Sequence, residues 1–534
     1  MSASSGMVRV RTAVVSVSEK QGLVEFVRGL RGFGVEVLST GGTFSTLKDA
    51  GVESKNLQSD MNLPTAVSGR VKTLHAPLQA AILARDTEEH LAELKKMGVP
   101  PVDMVVCNFY PFREALAMGK TIADLVESID IGGPTMVRAA SKNFERVTVV
   151  PSPKFYPEVL EELVRTDGRT GLPLRRRLAV EAFAMTASYD SAIFFGLGRS
   201  HPGMPAELVL SATRYQDAKY GENPDQRAVI YALDNWQTMA GWRQLAGDTM
   251  SFNNFLDAGS AYRMVDGLGG TAAVATVKHG QTSGFAFAPT VSEAYTLAHS
   301  CDPEADFGGT VVSNSEIDEP AAHLIGRNEG VDDASVYTEI ILAPRFSPEA
   351  VQILKDKQKK KIRLIQTTNR PDFPYDIKVV EGAVLVQEVV DYSKRLDQTG
   401  VTFPTKRKPG GEELQRLLAS WEVVRKVQSN GIVIADGSFE GGRLTRFWTL
   451  GVASFRKRNG AVKIALDNAG TRARGSVCSS DGFFPFKDSL ELLAAAGVSS
   501  VIEPGGSVND SDSVEVADAN GMAIVFTHVR AFKH

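Results

Sequence analysis

The first 200 residues alternate between short apolar runs and segments with helical periodicity. Residues 10–16 are rich in β-branched side chains, residues 22–33 carry apolar side chains every three or four positions, and residues 35–38 are apolar again. The same pattern predicts a helix over residues 43–50 and strands over residues 104–107 and 147–150. Strands separated by helices imply right-handed βαβ units. The pattern therefore predicts the α/β class, with a parallel sheet covered by helices.

A stretch rich in Gly, Pro, Ser and His, residues 196–205, is the best boundary between domains. We therefore expect one domain over residues 1–200 and a second region over residues 206–534. The pattern after the boundary is still mixed α/β but less regular. Ligands of parallel sheets bind at the carboxyl ends of the strands, so the loops that follow strands deserve the closest inspection.

Composition and charge exclude several classes of protein. A chain of 534 residues that is 43% hydrophobic and 23% charged is long enough for several globular domains and too apolar to be disordered. Its 59 Lys and Arg against 63 Asp and Glu give a net charge of −4, so no global positive field attracts nucleic acid or an anionic membrane. Small anionic molecules remain possible partners, because a few local cations suffice to bind them.

The cysteines and histidines argue against a disulfide scaffold and a metal centre. Cys107, Cys301 and Cys478 form no CxxC pair, which suits a reducing compartment. The eight histidines form no HExxH pattern, so we expect no catalytic metal. No apolar run approaches the ~18–20 residues of a membrane helix, and the first residues lack the apolar core of a signal peptide. We therefore expect a cytoplasmic protein without a membrane partner.

Four loops of the first 200 residues combine small, hydroxyl and charged side chains. The loops SVSEK (residues 16–20) and STGGT (residues 39–43) each follow a predicted strand and open a predicted helix, where free N–H groups favour a phosphate. Helix capping without a ligand explains either loop about as well. The loop SGRVKTLH (residues 68–75) places two cations near a glycine, which suits a phosphate, a developing oxyanion or a structural salt bridge.

The fourth loop, IDIGGP (residues 129–134), contains a carboxylate before a Gly-Gly turn. Asp130 is there either a helix cap or a carboxylate for proton transfer. Lys142 lies on the helix that follows, twelve residues further on, and is a candidate for the same site.

The strongest chemical pair of the second region is Lys278-His279, which follows the apolar run at residues 272–277. Because adjacent side chains on a strand face opposite sides, the use of both requires a strand end or a turn. From these residues alone, a core histidine with satisfied hydrogen bonds beside a surface lysine is the favoured interpretation.

Five motifs of the first region resemble the IMP cyclohydrolase half of the bifunctional purine-biosynthesis family that combines AICAR transformylase with IMP cyclohydrolase. They are residues 16–22, 39–43, 69–75, 107–112 and 129–143, and they occur in the order of the family. The resemblance implies a methylglyoxal-synthase-like α/β domain. It also implies closure of the formylated aminoimidazole carboxamide ribotide (FAICAR) into IMP with loss of water. No external cofactor is implied, which agrees with the lack of a dinucleotide GxGxxG motif in these loops.

Ring closure requires a deprotonated carboxamide nitrogen and a stabilised oxyanion on the formyl group. Carried over from the family, Asp130 would handle the proton at the carboxamide. Lys72 and Lys142 would stabilise negative charge on the formyl oxygen, with Tyr110 as a hydrogen-bonding partner. The residues that would cradle the ribose phosphate are Ser18, Lys20, Ser39, Gly41, Gly42, Thr43, Arg70 and Thr73.

Motifs of the second region are similar to the AICAR transformylase half of the same family. They are residues 251–254, 278–279, 305–309, 337–341, 429–430, 480–488 and 504–510, so the resemblance covers nearly the whole chain. It implies a transformylase region of two lobes that resemble duplicated cytidine-deaminase folds without zinc. It implies transfer of a formyl group to AICAR from 10-formyltetrahydrofolate, a co-substrate and not a tightly bound cofactor. The family's active site lies across a homodimer interface, so we expect a homodimer.

The exocyclic amine of AICAR is a poor nucleophile, so removal of its proton during the attack is the central problem. The resemblance reverses the interpretation of the Lys278-His279 pair, because His279 would be the base and Lys278 would stabilise or protonate the leaving folate. Asn430 would orient the formyl group. Phe483 with Phe484 offers apolar surface for the folate ring, or else forms an ordinary core pair. The other substrate-binding residues carried over are Lys219, Tyr220, Asn254 and Asp488.

The sequence departs from the family at several positions. Lys219 replaces an arginine, Asp225 replaces a histidine, and the usual proline after Lys278-His279 is absent. A lysine still meets a phosphate, but without the two-pronged geometry of arginine. The family's Gly-Gln-x-Ser-Arg loop is replaced by residues 451–458, where either Arg456 or Arg458 is a substitute for the lost phosphate contact.

These departures leave an alternative function open. It is IMP cyclohydrolase activity alone, with a diverged transformylase half that serves dimerisation. An effector-binding module is a further alternative, and the joint presence of Lys72, Tyr110, Asp130 and Lys142 argues against it. A dehydrogenase is the least favoured function, because the Gly-rich fingerprint is missing.

Overall fold

The computed structural model describes residues 6–62, 66–67, 70–199, 203–267, 271–327, 338–357, 362–368 and 373–534. The chain divides into two compact units. The first contains the described residues up to Thr213 together with Leu233–Asn235, and the second contains Arg214–Ala232 and Trp236–His534. Three parts of the sequence motifs lie outside the described residues, namely Ser68-Gly69, Tyr337 and residues 200–202 of the predicted boundary.

A parallel sheet forms the centre of the first unit. Its strands are β2 (Thr12–Ser16), β3 (Glu36–Ser39), β4 (Lys55–Asn56), β5 (Met104–Cys107) and β6 (Thr148–Val150), while β1 (Val8–Arg9) and β7 (Arg169–Thr170) form a separate antiparallel pair. The order is β4-β3-β2-β5-β6, and every neighbouring pair is parallel. The predicted parallel sheet is confirmed, and β5 has the predicted bounds, because a short apolar run is typical of a strand buried on both faces.

Helices cover this sheet. They are α1 (Leu23–Gly32), α2 (Gly41–Asp49), α3 (Leu57–Asp60), α4 (Ala76–Leu83), α5 (Glu88–Met97), α6 (Phe112–Ala117), α7 (Ile122–Glu127), α8 (Gly132–Lys142), α9 (Tyr156–Arg165) and α10 (Leu172–Gly198). The predicted loop at residues 196–205 starts too early, because α10 continues through Gly198. Buried side chains along α10, such as Leu178, Ala182 and Ala192, hold this long helix to the unit.

The strand order of the first unit reverses between β2 and β5. The chain moves outward from β2 through β3 to β4 and then returns to the other side of β2 for β5 and β6. The loops after β2 and β5 therefore lead away from each other at the carboxyl edge of the sheet. Such a reversal opens a crevice, which is where ligands of open α/β sheets bind.

The second unit contains an eleven-stranded mixed sheet built from two similar lobes. The first lobe comprises β10 (Arg243–Ala246), α11 (Phe252–Val265), β11 (Ala272–Lys278), β12 (Gln281–Ala288), α12 (Val291–His299), β13 (Thr310–Ser313), α13 (Glu319–Arg327), β14 (Ile340–Ala343), α14 (Pro348–Lys357) and β15 (Arg363–Gln366). The second comprises α16 (Gly411–Val424), β18 (Gly431–Glu440), β19 (Arg443–Ser454), α17 (Arg458–Ala469), β20 (Val477–Ser480), α18 (Asp488–Ala495), β21 (Ser500–Glu503), α19 (Asp510–Ala519) and β22 (Ala523–Phe526). The elements outside the lobes are β8 (Ala212–Asp217), β9 (Val229–Leu233), β16 (Tyr375–Val380), β17 (Ala383–Glu388) and α15 (Tyr392–Thr399).

The two lobes repeat one topology. Each has a helix, a β-hairpin and three further strands separated by helices, and in each lobe the third strand pairs antiparallel with the first strand of the hairpin. The sheet is continuous because β12 and β19, the second strands of the two hairpins, pair antiparallel through Ala286↔Trp448 and Phe287↔Phe447. The α/β class and the predicted pair of related lobes are confirmed.

Equivalent glycines mark the repeat. A Cβ atom on Gly284 in β12 would lie 2.0 Å from the carbonyl oxygen of Ala298, and one on Gly451 in β19 would lie 2.0 Å from that of Ala465. In each lobe the helix after the hairpin therefore packs its backbone directly on the strand, which only glycine permits.

Three cores stabilise the second unit. One side of the sheet packs on α11 and α16 in a core that spans both lobes and includes Ala261, Phe285, Leu417, Trp421 and Phe447. On the other side, each lobe has its own core beneath its three later helices. No helix in the described parts of the chain combines the length and the apolar character that crossing a membrane requires.

We predict that Gly451→Ala destabilises the second unit. The added methyl group would overlap the Ala465 carbonyl, and overpacking of this kind typically costs about 1–3 kcal/mol. Urea unfolding followed by tryptophan fluorescence reports on this unit alone, because Trp236, Trp242, Trp421 and Trp448 all belong to it.

Gly411→Ala is the matched control for this measurement. Gly411 begins α16, nothing lies within 4 Å of its Cβ position, and alanine favours a helix. We expect this variant to be as stable as the parent or slightly more stable. Equal midpoints for the two variants would contradict the proposed close packing.

Candidate active sites

Asn108 joins the two loops at the strand-order reversal of the first unit. Its Oδ1 accepts hydrogen bonds from the main-chain N–H groups of Ser18 (2.6 Å) and Glu19 (2.9 Å), and its Nδ2 donates to the Glu19 carbonyl (3.1 Å). The loop after β2 is thus fixed to the loop after β5. The sequence motif contained Asn108, but no functional role was predicted for it, since its partners lie about 90 positions away.

The N-terminus of α2 lies beside Lys20. A Cβ atom on Gly42 would be 4.0 Å from Lys20 Nζ, and Gly41 and Gly42 are both exposed. Exposed N–H groups at the start of a helix, next to an ammonium group, favour an anion. The structure thus brings Lys20 to the start of α2, as the predicted phosphate cradle requires.

Two other members of the predicted cradle have their hydroxyls engaged within the fold. Thr43 Oγ1 accepts from the Val17 N–H and donates to the Val17 carbonyl, both at 3.1 Å. Ser39 is fully buried, and its Oγ donates to Ser54 Oγ at 3.1 Å. The structure thus places both side chains where they support the loops after β2 and β3.

Asp130 lies just before α8 and is held by main-chain N–H groups. Its Oδ1 accepts from the Gly133 N–H at 2.8 Å. Burial raises the pKa of Asp130, and the N–H groups of Gly133, Tyr110 and Gly132 only partly oppose this rise. A carboxylate with a raised pKa, next to the exposed Tyr110 ring, suits a proton-transfer group.

The predicted turn at Gly132-Gly133 is wrong, because both glycines belong to the first turn of α8. Their neighbours leave no room for a side chain there. A Cβ atom on Gly132 would lie 2.2 Å from Thr73 Oγ1, and one on Gly133 would lie 2.6 Å from Asp130 Oδ2. Thr73 and Asp130 therefore converge on the N-terminus of α8, although they come from different loops.

The predicted lysines and arginine of this site are placed differently. Lys72 is exposed on the loop that contains Thr73. Arg70 forms an exposed salt bridge with Glu127, a weak interaction that a bound phosphate can replace. Lys142 is the last residue of α8, the helix that begins at Gly132.

Tyr189 on α10 is a support that the sequence motifs did not indicate. Its hydroxyl accepts from the Asp130 N–H at 2.8 Å, and its ring makes an edge contact with Phe109 at 5.0 Å between centroids. Burial raises the pKa of Tyr189 to about 12, so it stays protonated and can also donate to the Ser128 carbonyl. Tyr189 thus fixes the loop that presents Asp130.

In the second unit, Lys278 and His279 lie at the turn between β11 and β12. Lys278 pairs with Gln281, and the two residues between them have positive φ angles, 52° for His279 and 73° for Gly280. A two-residue hairpin turn requires this backbone, which histidine rarely adopts. The strand end needed to use both side chains is therefore present, and an unfavourable conformation at His279 is typical of a functional position.

The His279 turn borders a cavity of about 430 Å³. Asp257 on α11 also lines it, and its Oδ1 accepts from the Gly280 N–H at 2.7 Å. Burial raises the pKa of Asp257, while the Gly280 N–H and the charge of His279 lower it. On the other side of the turn, Lys278 Nζ donates to the Phe307 carbonyl at 2.6 Å.

Asn430 is held by a buried ion pair. Arg458 Nη2 donates to Asn430 Oδ1 at 2.7 Å, while Nη1 contacts Asp481. Arg458 is therefore committed to the fold. Arg456 is the other candidate for the lost phosphate contact, and its guanidinium lies 5.5 Å from the centre of the Phe455 ring.

The two phenylalanines of the motif at residues 480–488 lie in different environments. Phe484 is fully buried in the core of the second lobe, whereas Phe483 is half-buried and lies 4.8 Å from the Arg530 guanidinium. Asp488 begins α18, and its Oδ2 accepts from Asn459 Nδ2 at 2.7 Å. Phe483 thus retains the surface that a planar ring requires, and Phe484 is a core residue.

The other predicted substrate-binding residues of the second unit contact residues of the same unit. Lys219 Nζ lies 3.3 Å from Asp248, and the Tyr220 carbonyl accepts from the Phe252 N–H at 3.0 Å. Asn254 caps α11 together with Ser251, and its Nδ2 donates to Glu339 at 2.9 Å. Lys219 is exposed and can exchange its partner for a substrate, whereas Asn254 is buried in a structural role.

Glu503 is a buried acid behind Phe484. Its Oε2 accepts from the Phe484 N–H at 2.7 Å, and its Oε1 has no hydrogen-bond partner. Burial raises the pKa of Glu503 to about 8. The ordinary pKa of a glutamate is about 4.5, so between these values the folded protein binds a proton that the unfolded chain releases. Glu503 therefore contributes less to stability as pH rises from about 5 to 8.

We predict that Glu503→Gln removes this pH dependence. Glutamine keeps the acceptor for Phe484 and carries no charge, so the variant should exceed the parent in stability at pH 8 by on the order of 1–3 kcal/mol. The gap should shrink toward pH 5. Urea unfolding at both pH values measures it, with Glu515→Gln, an exposed acid on α19, as the control. A parent protein equally stable at pH 5 and pH 8 would contradict the assignment.

Comparisons with known proteins agree with this arrangement. The model of the family described as "AICARFT/IMPCHase bienzyme" matches residues 140–466, and that of the "MGS-like domain" matches residues 22–135. The bifunctional purine biosynthesis protein PurH of Bacillus cereus strain B4264 is 40% identical over 530 residues, covering 98% of this chain and 100% of the relative. PurH of Desulfitobacterium hafniense is 41% identical over 537 residues, with 98% and 100% coverage.

A solved structure titled "Crystal structure of ForH" is 34% identical and covers 35% of this chain and 100% of that chain. Its TM-score of 0.32 is too low to bear on the fold. The relatives are similar to this chain over their full length, and the bienzyme family model matches more than half of it. The chain belongs to the AICARFT/IMPCHase bienzyme family.

Proposed function

We propose that the two reactions of this bifunctional enzyme are divided between its units, with ring closure in the first and formyl transfer in the second. The enzyme is an AICAR formyltransferase and an IMP cyclohydrolase of purine biosynthesis, and its substrates are small molecules. The location of the two candidates for proton transfer supports this division of the two reactions. Asp130 lies in the first unit and His279 in the second. We propose domain limits of 1–200 and 206–534.

Ring closure uses the crevice at the N-terminus of α8. Asp130 takes the proton from the carboxamide nitrogen as this nitrogen attacks the formyl carbon. Lys72 and Tyr110 stabilise the charge that develops on the formyl oxygen before water leaves. Lys20, Ser18 and the exposed glycines of α2 bind the ribose phosphate, with Arg70 and Thr73 closing the cradle. The role of Lys142 rests on the resemblance alone.

Formyl transfer uses the His279 turn and a folate co-substrate. We propose 10-formyltetrahydrofolate as the donor. His279 removes a proton from the AICAR amine, and Lys278 exchanges the Phe307 carbonyl for the leaving folate nitrogen. Asn430, oriented by Arg458, donates to the formyl oxygen, and Phe483 stacks on the folate ring. Lys219, Tyr220 and Asp488 complete the proposed contacts, while Asn254 supports α11.

The assembly and the location of the enzyme remain predictions. We propose a homodimer whose formyl-transfer site is completed by the second copy, which equilibrium sedimentation tests. The cytoplasmic location is likewise a prediction from the sequence.

We predict that Asp130→Asn abolishes ring closure and spares formyl transfer. Asparagine keeps the acceptor for the Gly133 N–H, so the fold is retained, but it cannot take a proton. The rate of IMP formation from added FAICAR should fall by roughly a hundredfold or more, as is typical when a general base is lost. Lys142→Ala is the matched comparison. Unchanged ring closure in Lys142→Ala would remove that lysine from the mechanism, whereas unchanged ring closure in Asp130→Asn would overturn the assignment of the site.

We predict the opposite pattern for His279→Ala. Formyl transfer to AICAR should fall by roughly a hundredfold or more, and cyclisation of added FAICAR should continue. His323→Ala, on α13 and away from the cavity, is the control. The parent enzyme, given AICAR and 10-formyltetrahydrofolate, should accumulate IMP. A parent that cyclises FAICAR but never formylates AICAR would establish the alternative, a cyclohydrolase with a diverged second half.

A further inference from the structure

One face of α11 forms a wall of the cavity next to His279. The side chains of this face recur every three or four positions, which is the spacing of residues on one side of a helix. They are Asn253, Leu256, Asp257, Ser260 and Met264. The helix is firmly placed, because Ala258 and Ala261 are fully buried in the core of the second unit. A capping box at Ser251 and Asn254 closes its first turn. The helix therefore presents this face on a fixed backbone.

Asp257 pairs a main-chain group of the hairpin turn. The strand register joins Lys278 to Gln281, so Gly280 is one of the two residues of the turn. The N–H groups of the two central residues take no part in the ladder of hydrogen bonds between the strands. Asp257 Oδ1 accepts from the Gly280 N–H at 2.7 Å, and a Cβ atom on Gly280 would lie 3.6 Å from Ser260 Oγ. The turn thus lies against α11 and is bonded to it.

The orientation of His279 depends on this turn. Its φ angle is 52°, in the left-handed region that a histidine rarely adopts. A backbone conformation of this kind persists only where the surrounding structure holds it. The hydrogen bond from Gly280 to Asp257 lies one residue further along the chain and fixes the turn that includes this angle. Asp257 therefore helps to set the direction of the imidazole.

The carboxylate of Asp257 and the imidazole of His279 also interact through their charges. Burial raises the pKa of Asp257, the Gly280 N–H and the positive charge of His279 lower it, and Glu339 raises it. An interaction between two charges is mutual. An ionised Asp257 therefore favours the imidazolium that forms when His279 takes a proton.

The other ionisable groups near the turn do not supply this negative charge. Those on the cavity wall or on the turn are Lys278, Arg263, Lys426, Lys533 and His534. Glu339 is paired with Arg363 at 3.2 Å, and Asp376 acts on the pKa values of Arg263 and Lys533. Among the described side chains that line the cavity, Asp257 is thus the acidic one, and the cation that lowers its pKa is His279.

We propose that Asp257 is a positioning residue of the formyl-transfer site, which holds the His279 turn through the Gly280 N–H and stabilises the imidazolium formed during catalysis. The proposal rests on the proposed function, because it requires His279 to be the base. The proton that His279 takes leaves the AICAR amine as the amine nitrogen bonds to the formyl carbon. Asp257 itself neither gains nor loses a proton, so it acts through His279 alone.

The test uses the full-length enzyme with two substitutions at this position. Asp257→Asn keeps an oxygen acceptor for the Gly280 N–H and removes the charge, whereas Asp257→Ala removes both. Asp467→Asn is the matched control, because Asp467 is exposed on α17 and does not line the cavity. The measurements are kcat and KM for formyl transfer to AICAR and the hydrogen–deuterium exchange of a peptide that contains Gly280. The tryptophan emission spectrum checks that the second unit of each variant is folded.

We expect Asp257→Asn to lower kcat by roughly tenfold and to leave the KM for AICAR within about threefold of the parent, since the lost interaction forms only as His279 becomes charged. Its exchange at Gly280 should match the parent. Asp257→Ala should lower kcat by roughly a hundredfold and speed this exchange, because the turn is released as well. Asp467→Asn should match the parent in every measurement.

Each part of the proposal has a result that overturns it. A kcat of Asp257→Asn within about twofold of the parent, or a raised KM with unchanged kcat, would overturn the charge role. Parent-like exchange and kcat in Asp257→Ala would overturn the positioning role. Should Asp257→Ala not fold, Asp257→Asn still decides the charge role.

Failure of the proposed function gives a different pattern. If the parent enzyme shows no formyl transfer, the proposed function is wrong, and the exchange measurement still decides whether Asp257 holds the turn. If transfer is present but His279→Ala retains it, His279 is not the base and the charge role of Asp257 is wrong with it. If His279→Ala loses transfer while both Asp257 variants match the parent, the proposed function stands and this proposal is wrong.

Discussion

The buried ion pair between Arg458 and Asp481 is the interaction on which the second unit's site depends. Both side chains are almost fully withdrawn from solvent, with 6% and 0% of their surfaces exposed. Such a pair is stable only when hydrogen bonds satisfy its remaining donors and acceptors. Here those bonds go to Asn430, to Ser429 and, through the Asp481 main chain, to Ala531. One desolvated pair therefore fixes three segments that surround the proposed chemistry.

In the first unit, hydrogen bonds of neutral side chains and main-chain groups orient the proposed site. At the strand-order reversal, Asn108 uses its amide to bind the main chain of the facing loop, and Asp130 takes up N–H groups that the start of α8 leaves unpaired. Tyr189 completes the set from the long helix α10. In both units, the groups proposed to react are oriented by main-chain polar groups at the ends of regular elements. This explains why they lie on loops yet are precisely placed.

Local patterns predicted the parts of this structure that depend on neighbours in sequence. The apolar run of β5 was visible, because adjacent residues reveal the burial of a short strand. A helix after Asp130 was also visible, although Gly132 and Gly133 lie within that helix and not in a turn before it. The contact of Asn108 with the loop after β2 was not, since it depends on strand order, which periodicity does not encode. The motif resemblance supplied roles for residues that the hydrophobic pattern alone could not assign.

The net charge of −4 does not show where the individual charges lie in the fold. Arg458 is committed to its buried partner Asp481, whereas Arg70 pairs with Glu127 only at the surface. A salt bridge at the surface exchanges its partner easily, whereas a buried one does not. The exposed cations, such as Lys219 and Arg70, are thus the ones that can change partners when an anionic substrate binds.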